Sequence, residues 1–517
     1  MSTAAALPAE PALNRGMITL SIMLATVIQA LDGTIANVAL PHMQGSLSAS
    51  QDQISWVLTS FIVAAAIATP LTGWLCDRFG QKQVFLASIA GFTLASVLCG
   101  IAATLSEIVA ARLAQGVFGA ALVPLSQAVL LDINPREKHG SAMAVWGMGV
   151  MIGPILGPTL GGWLTDAYSW RWVFFINVPV GALALWGVWR YIPARAAPRA
   201  MRFDLFGFAT LSLAVGALQM LLDRGEQNDW FASTETWVEA VLLAVSLAYF
   251  IAHTALRPAG QSFFDYRLLK NPNYVTGLLF ISIVGLVLFA TRALTPSMLQ
   301  GLMGYPAATA GLVTAPSGLG TMLAMLVVGR LVGRVDVRLL LTAGFALTAL
   351  SLWQMSRYTL VLSPADIVWP GIVQGVGLGL VFVPLSTATF ATLAPAMRAD
   401  GTAIYSLVRN IGSSVGIAMV QAFLTRNTQI VHASVGEHLN LASPALQDPA
   451  ALGGYGLASP AATALLNNEL TRQASMVAYV DDFWLMFVLT LAIVPLLALI
   501  RPPRATQKPA LDHAALE

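Results

Sequence analysis

Fourteen apolar stretches, each about as long as a membrane-crossing helix, constrain this 517-residue chain more than any other feature of its sequence. A helix needs about 20 predominantly apolar residues to cross about 30 Å of hydrocarbon. Since 57% of the residues are hydrophobic and 10% are charged, with a mean hydropathy of +0.73, most of the chain is expected to lie in lipid. We therefore predict an all-α membrane protein with fourteen transmembrane helices. The predicted spans are 17–40, 54–75, 83–103, 106–130, 141–164, 171–192, 203–222, 235–256, 273–298, 309–330, 338–357, 366–392, 401–424 and 481–500.

Lysine and arginine are distributed unequally between the two sides of these spans. With the N-terminus inside, nineteen of the 27 basic residues fall on that side, five fall on the other side and three lie within spans. Because basic residues in short loops stay on the cytoplasmic side, both termini are predicted to be cytoplasmic. The first stretch is too long for a signal-peptide core and is expected to remain as a spanning helix.

A charged, glycine-bounded block occurs twice, 256 residues apart. Gly333 stands where the first copy has Asp77, and Asp336 stands where it has Gly80. The offset suits six spans plus an inserted pair, and parallel repeats of six helices are one common transporter design. We therefore predict a 6+2+6 arrangement, with a bundle over 1–195, a hairpin over 196–262 and a bundle over 263–517. The shared positions pair Gly73 with Gly329, Leu75 with Leu331, Arg78 with Arg334 and Lys82 with Arg338; Gln115-Gly-Val and Pro124-Leu-Ser recur from Gln374 and Pro384.

Two charged residues lie inside predicted spans of the first half. Asp32 lies in the middle of the first span, where a carboxylate costs about 2.5–3.5 kcal/mol on insertion scales. Arg112 lies in the fourth span, three residues before Gln115. Asp32 is interpreted as a protonatable group, because burial favours the neutral form. The alternatives are a structural carboxylate bound to Thr34, Asn37 or a base, and an arginine that only anchors packing.

The fifth span carries a ladder of glycines spaced four residues apart. One face of this helix should therefore be a smooth groove that admits a neighbouring helix. Two prolines within the ladder should bend the helix. In most membrane proteins such a ladder means only close packing. The ladder and its neighbours comprise Gly149, Gly153, Pro154, Gly157, Pro158, Gly161 and Gly162.

Further polar residues in the spans are candidates for lining a substrate cavity. Arg292 and Arg409 are costly placements in the ninth and thirteenth spans, although Arg292 could instead reach an interface. The balance of mid-span charge, Asp32 against the arginines, favours neutral or anionic amphiphiles. The candidate set is Asn37, Gln115, Arg292, Gln374 and Arg409.

Several motifs, taken together and in order, resemble the major facilitator superfamily. The block over 73–82, the Arg112–Gln115–Gly116 set and the glycine–proline run over 149–162 resemble three of its signature motifs, the last being its antiporter motif. Within the superfamily, the chain resembles the fourteen-span drug:proton antiporters of the EmrB/QacA type. That closer likeness is carried by Leu31 to Pro41, Trp170 to Gly181, and Asp223, Arg224, Gly225 with Asp229 and Trp230.

The resemblance implies a major facilitator fold and proton-coupled export of hydrophobic or amphiphilic compounds by alternating access, not an enzyme. It assigns Asp32 and Arg112 to proton coupling and the antiporter motif to export. The thirteenth span begins near Gly401, and its N-terminus attracts carboxylates. Asp77 is therefore predicted to act there as a cytoplasmic latch; the alternative is a turn that only sets topology. The turn and gating set is Gly73, Asp77, Arg78, Gly80 and Lys82.

Residues 425–480 are predicted to form a long extracytoplasmic loop, within which Ala462 to Met476 could be helical. By resemblance to EmrB-like pumps of the bacterial inner membrane, this loop would suit a periplasmic adaptor that leads to an outer-membrane channel. The alternatives are an exporter dedicated to one metabolite, siderophore or organic acid, a lipid enzyme, or a nutrient sensor. The histidines fit no zinc pattern and no phosphate-binding loop is found, so we predict no metal, cofactor or nucleic acid.

Overall fold

The computed structural model describes residues 14–193, 203–257, 265–437 and 459–500. Thirteen helical segments are long and apolar enough to cross a membrane, and the bent pair α3–α4 supplies the fourteenth, which confirms the predicted spans and the all-α class. The one β-type pairing in the described ranges is an isolated bridge between Val332 and Val335. The α-helices are α1 (Arg15–Ser46), α2 (Gln51–Ile54), α3 (Trp56–Ala68), α4 (Leu71–Phe79), α5 (Gln81–Ile101), α6 (Leu105–Gly119), α7 (Leu122–Ile133), α8 (His139–Ala167), α9 (Trp172–Phe175), α10 (Asn177–Tyr191), α11 (Leu205–Arg224), α12 (Thr234–Leu256), α13 (Pro272–Gly301), α14 (Ala307–Leu331), α15 (Val337–Met355), α16 (Pro364–Phe390), α17 (Arg398–Glu437) and α18 (Pro460–Ile493).

Prolines divide two of the spans into paired helices. Pro70 separates α3 from α4, whose axes differ by 56°. Pro124 lies in the first turn of α7, just after α6 ends. Proline has no backbone N–H and clashes with the preceding turn, so the regular helical hydrogen bonding cannot continue through it. The second span is therefore bent, and the helix of the fourth span is interrupted between α6 and α7.

The duplication is visible in matching contacts as well as in matching residues. Lys82 Nζ donates to the carbonyl of Trp189, in the last turn of α10, at 2.7 Å. Its counterpart Arg338 donates through Nε at 2.8 Å to the carbonyl of Ile500, at the end of the 3-10 helix Val494–Leu499 that follows α18. A base thus binds exposed carbonyls at the C-terminal end of the last span in both halves, where a positive charge is favourable.

The two copies of the charged block turn at different places. Gly80 follows α4 directly with φ of +87°, whereas in the second copy α14 ends at Leu331 and Gly333 has φ of +90°. Only glycine adopts such angles at little cost. Gly333 therefore supplies the left-handed turn residue of its copy, and the second turn is longer than the first.

Helix α11, which lies in the predicted inserted hairpin, contacts helices from both halves of the chain. The Thr59 hydroxyl of α3 donates to Asp223 at the end of α11. Gln219 of α11 and Ser414 of α17 exchange hydrogen bonds of 2.9 and 3.0 Å. The outer helix α12 packs on α11 and is largely exposed. The boundaries proposed at about residues 195 and 262 lie outside the described residues.

The last connection between spans differs from the predicted long loop. Helix α17 continues to Glu437, so its 40 residues extend about 60 Å, twice the thickness of the hydrocarbon core. Helix α18 begins at Pro460, which confirms the helix predicted over Ala462 to Met476. A hydrogen bond of 3.1 Å between His432 and Asn467 joins the two helices beyond the membrane. No helix was predicted over residues 425–437, where α17 continues beyond its apolar stretch; residues 438–458 lie outside the described ranges. We call residues 425–437 and 460–480 the helical extension.

Candidate functional site

Asp32 is completely buried in the middle of α1, and three side chains from other helices converge on it. Arg112 Nη1 donates to Asp32 Oδ2 at 2.5 Å. Gln115 Nε2 and Asn177 Nδ2 each donate to Oδ1 at 2.9 Å. Three helices of the first half, α1, α6 and α10, thus meet at one carboxylate. Both of its oxygens are satisfied, which a buried carboxylate requires.

Arg112 is fixed from several sides. Besides Asp32, it donates through Nε to the carbonyl of Val57 at 2.9 Å and through Nη1 to Gln115 Oε1 at 2.8 Å. Its guanidinium carbon lies 4.2 Å from the ring centroid of Phe61, a cation–π distance. With 1% of its side chain exposed, this arginine depends on Asp32 for charge compensation. Removing the negative charge would leave a buried cation unpaired.

Asn177 is a member of this network that the sequence analysis did not assign. It sits at the first position of α10, and its amide nitrogen also donates to Ser96 Oγ at 3.0 Å. Ser96 in turn donates to the carbonyl of Phe174 at 2.9 Å. Asn177 lies inside the Trp170 to Gly181 motif and inside a predicted span. A polar amide at such a position was the only sign in the sequence that it has a role. The motif alone could not indicate that it reaches Asp32.

The glycine ladder of α8 packs directly on α1. A Cβ at Gly153 would overlap the backbone of Ala30, and one at Gly161 would lie 2.8 Å from Ile35 Cγ1. The Thr34 hydroxyl donates to the carbonyl of Gly153 at 3.0 Å. The ladder thus brings α8 against the turns of α1 that flank Asp32, and Gly149 and Gly157 continue this contact against Met23 and Thr34.

One end of the bundle carries the turn at Gly80 and the 3-10 helix Arg136–Lys138; we call it the basic face, and contacts between the two halves reach it, as between Gly140 and Val332. There Arg398 of α17 donates through Nη1 to Asp132 Oδ1 at 2.7 Å and to the carbonyl of Leu131 at 3.0 Å. Both side chains of this ion pair are largely buried. The sequence analysis treated Arg398 only as a loop base and did not single out Asp132.

The block over 73–82 meets α17 at the same face, as the latch hypothesis for Asp77 required. Gly73 lies directly against the side chain of Asp400, leaving no room for a Cβ. Asp400 occupies the first turn of α17 and is near enough to Asp77 to interact with it electrostatically. The N-terminus of α17 therefore already has an acid of its own, and Asp77 approaches it as a second carboxylate.

The candidate cavity residues separate into different environments. Asn37 is exposed on the face of α1 that also carries Gly33, around which there is open space. Arg292 and Arg409 are partly buried in α13 and α17; Arg292 contacts Met151 Sδ at 3.9 Å, and Arg409 contacts Asn410 Oδ1 at 3.4 Å. Neither has an ion pair with an acid among the described residues.

The two glutamines do not face a common cavity. Gln115 is fully buried in the Asp32 network. Gln374 lies inside the second half, where it lines a cavity of about 20 Å³ together with Val287, Thr348 and Thr490. Its amide nitrogen has no hydrogen-bond partner among the described residues. The described residues contain no cluster of His, Cys, Asp or Glu able to hold a metal.

Comparison with known proteins identifies the relatives of this chain. The sequence profile of the Major Facilitator Superfamily matches residues 22–417. The fatty acid resistance protein FarB of Neisseria gonorrhoeae is 35% identical over 490 residues, covering 94% of this chain and 96% of that protein. The multidrug export protein EmrB of Escherichia coli K12 is 34% identical, covering 94% of this chain and 95% of its own length.

Solved structures show the same fold at low sequence identity. The human organic anion transporter MFSD10 superposes with a TM-score of 0.58 at 14% identity, covering 93% of this chain and all of that chain. The proton:xylose symporter XylE gives a TM-score of 0.59 at 12% identity, covering 93% and 96%.

Proposed function

This chain belongs to the major facilitator superfamily, among the EmrB-like drug:proton antiporters, and from that premise we propose that it is a proton-coupled multidrug efflux transporter of the bacterial inner membrane. It would export hydrophobic or amphiphilic compounds by alternating access between its two six-helix halves, with both termini in the cytoplasm. The names of its EmrB relatives support multidrug export, and its fourteen apolar helical spans support a multi-pass membrane protein.

The buried Asp32–Arg112 pair is the observation that best supports proton coupling. A carboxylate that is completely buried within a membrane span must be neutral or paired, and here it is paired with a buried guanidinium. Protonation of Asp32 would remove that pairing and leave Arg112 with only its neutral acceptors, Val57 and Gln115. A proton would therefore change the energy of this site substantially, as a coupling group requires.

Helix α8 supplies a route from this pair to the second half. Its ladder contacts α1 beside Asp32, and the same helix contacts the second half through Gly147, which lies against Met325. Trp146 also stacks on Phe382 of α16, with ring centroids 5.7 Å apart. A shift of α1 on protonation would pass through α8 to the interface between the halves, which we propose is how protonation and alternating access are coupled.

The arginines without ion pairs in the second half support neutral or anionic amphiphiles as substrates. Arg409 also has an Nε that is buried without a hydrogen-bond partner in the described part of the chain. A carboxylate or sulfonate group is the natural partner for a guanidinium in a dry environment. The same observation favours the second candidate function, a dedicated exporter of organic acids, and the name of the FarB relative is consistent with it.

Transport in proteoliposomes with an imposed proton gradient tests these alternatives. We expect gradient-driven movement of neutral Nile red and anionic anilinonaphthalene sulfonate, with mutual competition, and weaker movement of cationic ethidium. Arg409→Gln should slow the sulfonate more than Nile red. A dedicated acid exporter would move the sulfonate or a fatty acid but not Nile red. If none of the dyes moves with the gradient, the proposed function is wrong.

We further propose that the helical extension docks a periplasmic adaptor that leads to an outer-membrane channel. Exposed apolar side chains on it offer a surface for a partner: Ile430 and Val435 of α17 are 54% and 44% exposed, and Leu465 of α18 is 45% exposed. Replacing these three by Gln should abolish efflux from whole cells while leaving transport in proteoliposomes intact. Val361→Gln, in the connection between α15 and α16, is the matched control because its side chain is 91% exposed. Equal losses in both assays would make the extension structural.

A further inference from the structure

Helix α11 covers the space between two helices that belong to different halves of the chain. These helices are α3 and α17, which hardly contact each other within the described ranges, whereas α11 packs on both. Val215 of α11 belongs to one apolar cluster with Ala66 of α3 and Leu407 of α17. We call the space between α3 and α17 the seam. Without α11, the seam would connect the region between the halves with the lipid.

Helices α11 and α12 are tied together at both ends. Where α11 begins, His253 Nε2 of α12 donates to Asp204 Oδ1 at 2.9 Å, and Arg257 Nη1 lies 3.4 Å from the same oxygen. Where α11 ends, its Arg224 forms an ion pair with Glu235 of α12. The two helices are therefore expected to move as one unit.

The contacts of α11 with the first half extend along its whole length. Phe203, just before α11, lies against Trp74 of α4, with ring centroids 4.6 Å apart. In the middle of the helix Gly216 packs closely on α3, because a Cβ there would lie 3.2 Å from Ile67 Cδ1. The last turn of α11 accepts the hydrogen bond from Thr59 described above. These contacts fix α11 to the first half.

The contact of α11 with the second half is looser. Its polar part is the exchange of hydrogen bonds between Gln219 and Ser414 of α17. Nearer the basic face the interface contains a cavity of about 90 Å³, with Leu211 and Phe250 of the two hairpin helices on one side and Ile404 of α17 on the other. Closely packed interiors leave few voids larger than a water molecule. Of the two interfaces of α11, the one with α17 therefore gives way at the lower cost.

We propose that α11 seals the seam against lipid and moves with the first half, so that its contact with α17 yields when the halves rearrange. The seal keeps a hydrophobic substrate that lies between the halves from escaping sideways into the bilayer at this place. The inserted pair of helices thus has a task that a six-plus-six arrangement would leave unfilled at the seam. The inference rests on the proposed alternating access.

Contact with labelled lipid tests the seal. A bimane fluorophore on Ile411→Cys, which lies on α17 beside the apolar cluster of the seam, should be protected from quenching by brominated lipid in proteoliposomes. The same fluorophore on Val241→Cys, which is 56% exposed on α12, should be quenched strongly relative to unbrominated lipid. Equal quenching at the two positions would overturn the proposal.

Val215→Phe tests whether α11 is the source of the protection. The larger ring overfills the apolar cluster of the seam and should push α11 outward, so that brominated lipid quenches the fluorophore on Ile411→Cys. Leu213→Phe is the matched control, because residue 213 is 50% exposed on the opposite face of the same helix. It should leave the quenching unchanged. Protection that persists in Val215→Phe would show that α11 is not the seal.

Crosslinks test which half α11 follows. Thr59→Cys with Asp223→Cys, joined by a short reducible bis-methanethiosulfonate linker, ties α11 to the first half and should leave gradient-driven Nile red transport intact. Gln219→Cys with Ser414→Cys, joined by the same linker, ties α11 to α17 and should stop transport until a reductant is added. Transport that survives the second link, or that stops with the first, would contradict the proposed movement.

The wild type separates this inference from the proposed function. Absence of gradient-driven Nile red transport in the wild type without crosslinks would refute the proposed function. The lipid-quenching measurements need no transport and would still decide whether α11 seals the seam.

Discussion

At the scale of single residues, the structure adds to the sequence analysis mainly the hydrogen-bond partners of the buried side chains. The position of Asp32 in the first span was enough to predict a buried acid that needs compensation. Its actual donors, Arg112, Gln115 and Asn177, lie 80, 83 and 145 residues away along the chain. Pairings of that kind depend on how helices pack, so spacing within one span cannot reveal them.

Arg112→Lys should impair coupling although it keeps the charge. The guanidinium contacts Asp32, Gln115 and the carbonyl of Val57 together, whereas an ammonium on a flexible stem lacks this planar geometry. We expect gradient-driven dye transport to fall by at least about tenfold, equivalent to about 1.4 kcal/mol. Arg472→Lys, in an exposed pair of the helical extension, is the control and should be neutral. Undiminished transport in Arg112→Lys would show that charge alone suffices.

At the scale of helices, the ladder's close approach was predictable but its partner was not. Glycines four residues apart predict that a helix packs against the groove, and the structure shows that this helix is α1, the one with Asp32. The length of α17 was missed for a different reason. Hydropathy marks where a helix leaves the membrane and does not mark where it ends.

Gly153→Ala tests whether the contact between α1 and α8 matters for coupling. A Cβ at Gly153 would overlap the backbone of Ala30, so the helices must separate. Overpacking of this kind costs about 1–3 kcal/mol, and we expect a lower melting temperature together with loss of gradient-driven transport. At Gly162 the nearest atom to a new Cβ is Val38 Cγ1 at 3.9 Å, so Gly162→Ala should be tolerated. Similar behaviour of the two variants would exclude this role of the ladder.

At the scale of the whole molecule, the duplication was predictable and its asymmetry only partly so. The two glutamines of the repeat occupy equivalent places, but Gln115 contacts Asp32 whereas Gln374 lines a small cavity with Val287. Aligning Pro41 with Pro296 places Val287 opposite Asp32. The second half therefore keeps the amide without the acid. The sequence analysis located the asymmetry at Asp77, and the structure adds that the turn of this block differs in length between the two copies.

Breaking the Arg398–Asp132 ion pair should open the basic face. Arg398 and Asp132 are both largely buried, and breaking such a pair costs about 3–5 kcal/mol. In Arg398→Leu, spin labels at Glu137→Cys and Arg334→Cys should move apart in electron–electron distance measurements. The native Cys76 and Cys99 are buried and should remain unlabelled. Asp77→Asn in the same spin-labelled protein shows whether Asp77 contributes to closure as Asp132 does. An unchanged distance in Arg398→Leu would show that the Arg398–Asp132 ion pair does not close this face.

Gradient-driven dye transport by Asp32 variants in proteoliposomes is the most direct test of the central claim, that Asp32 carries the coupled proton. Asp32→Asn cannot exchange a proton, so we expect it to equilibrate Nile red across the membrane without accumulating it against a gradient. Asp32→Glu keeps the carboxyl group and should retain part of the accumulation. Accumulation at the wild-type level in Asp32→Asn, with the protein correctly folded, would contradict the account.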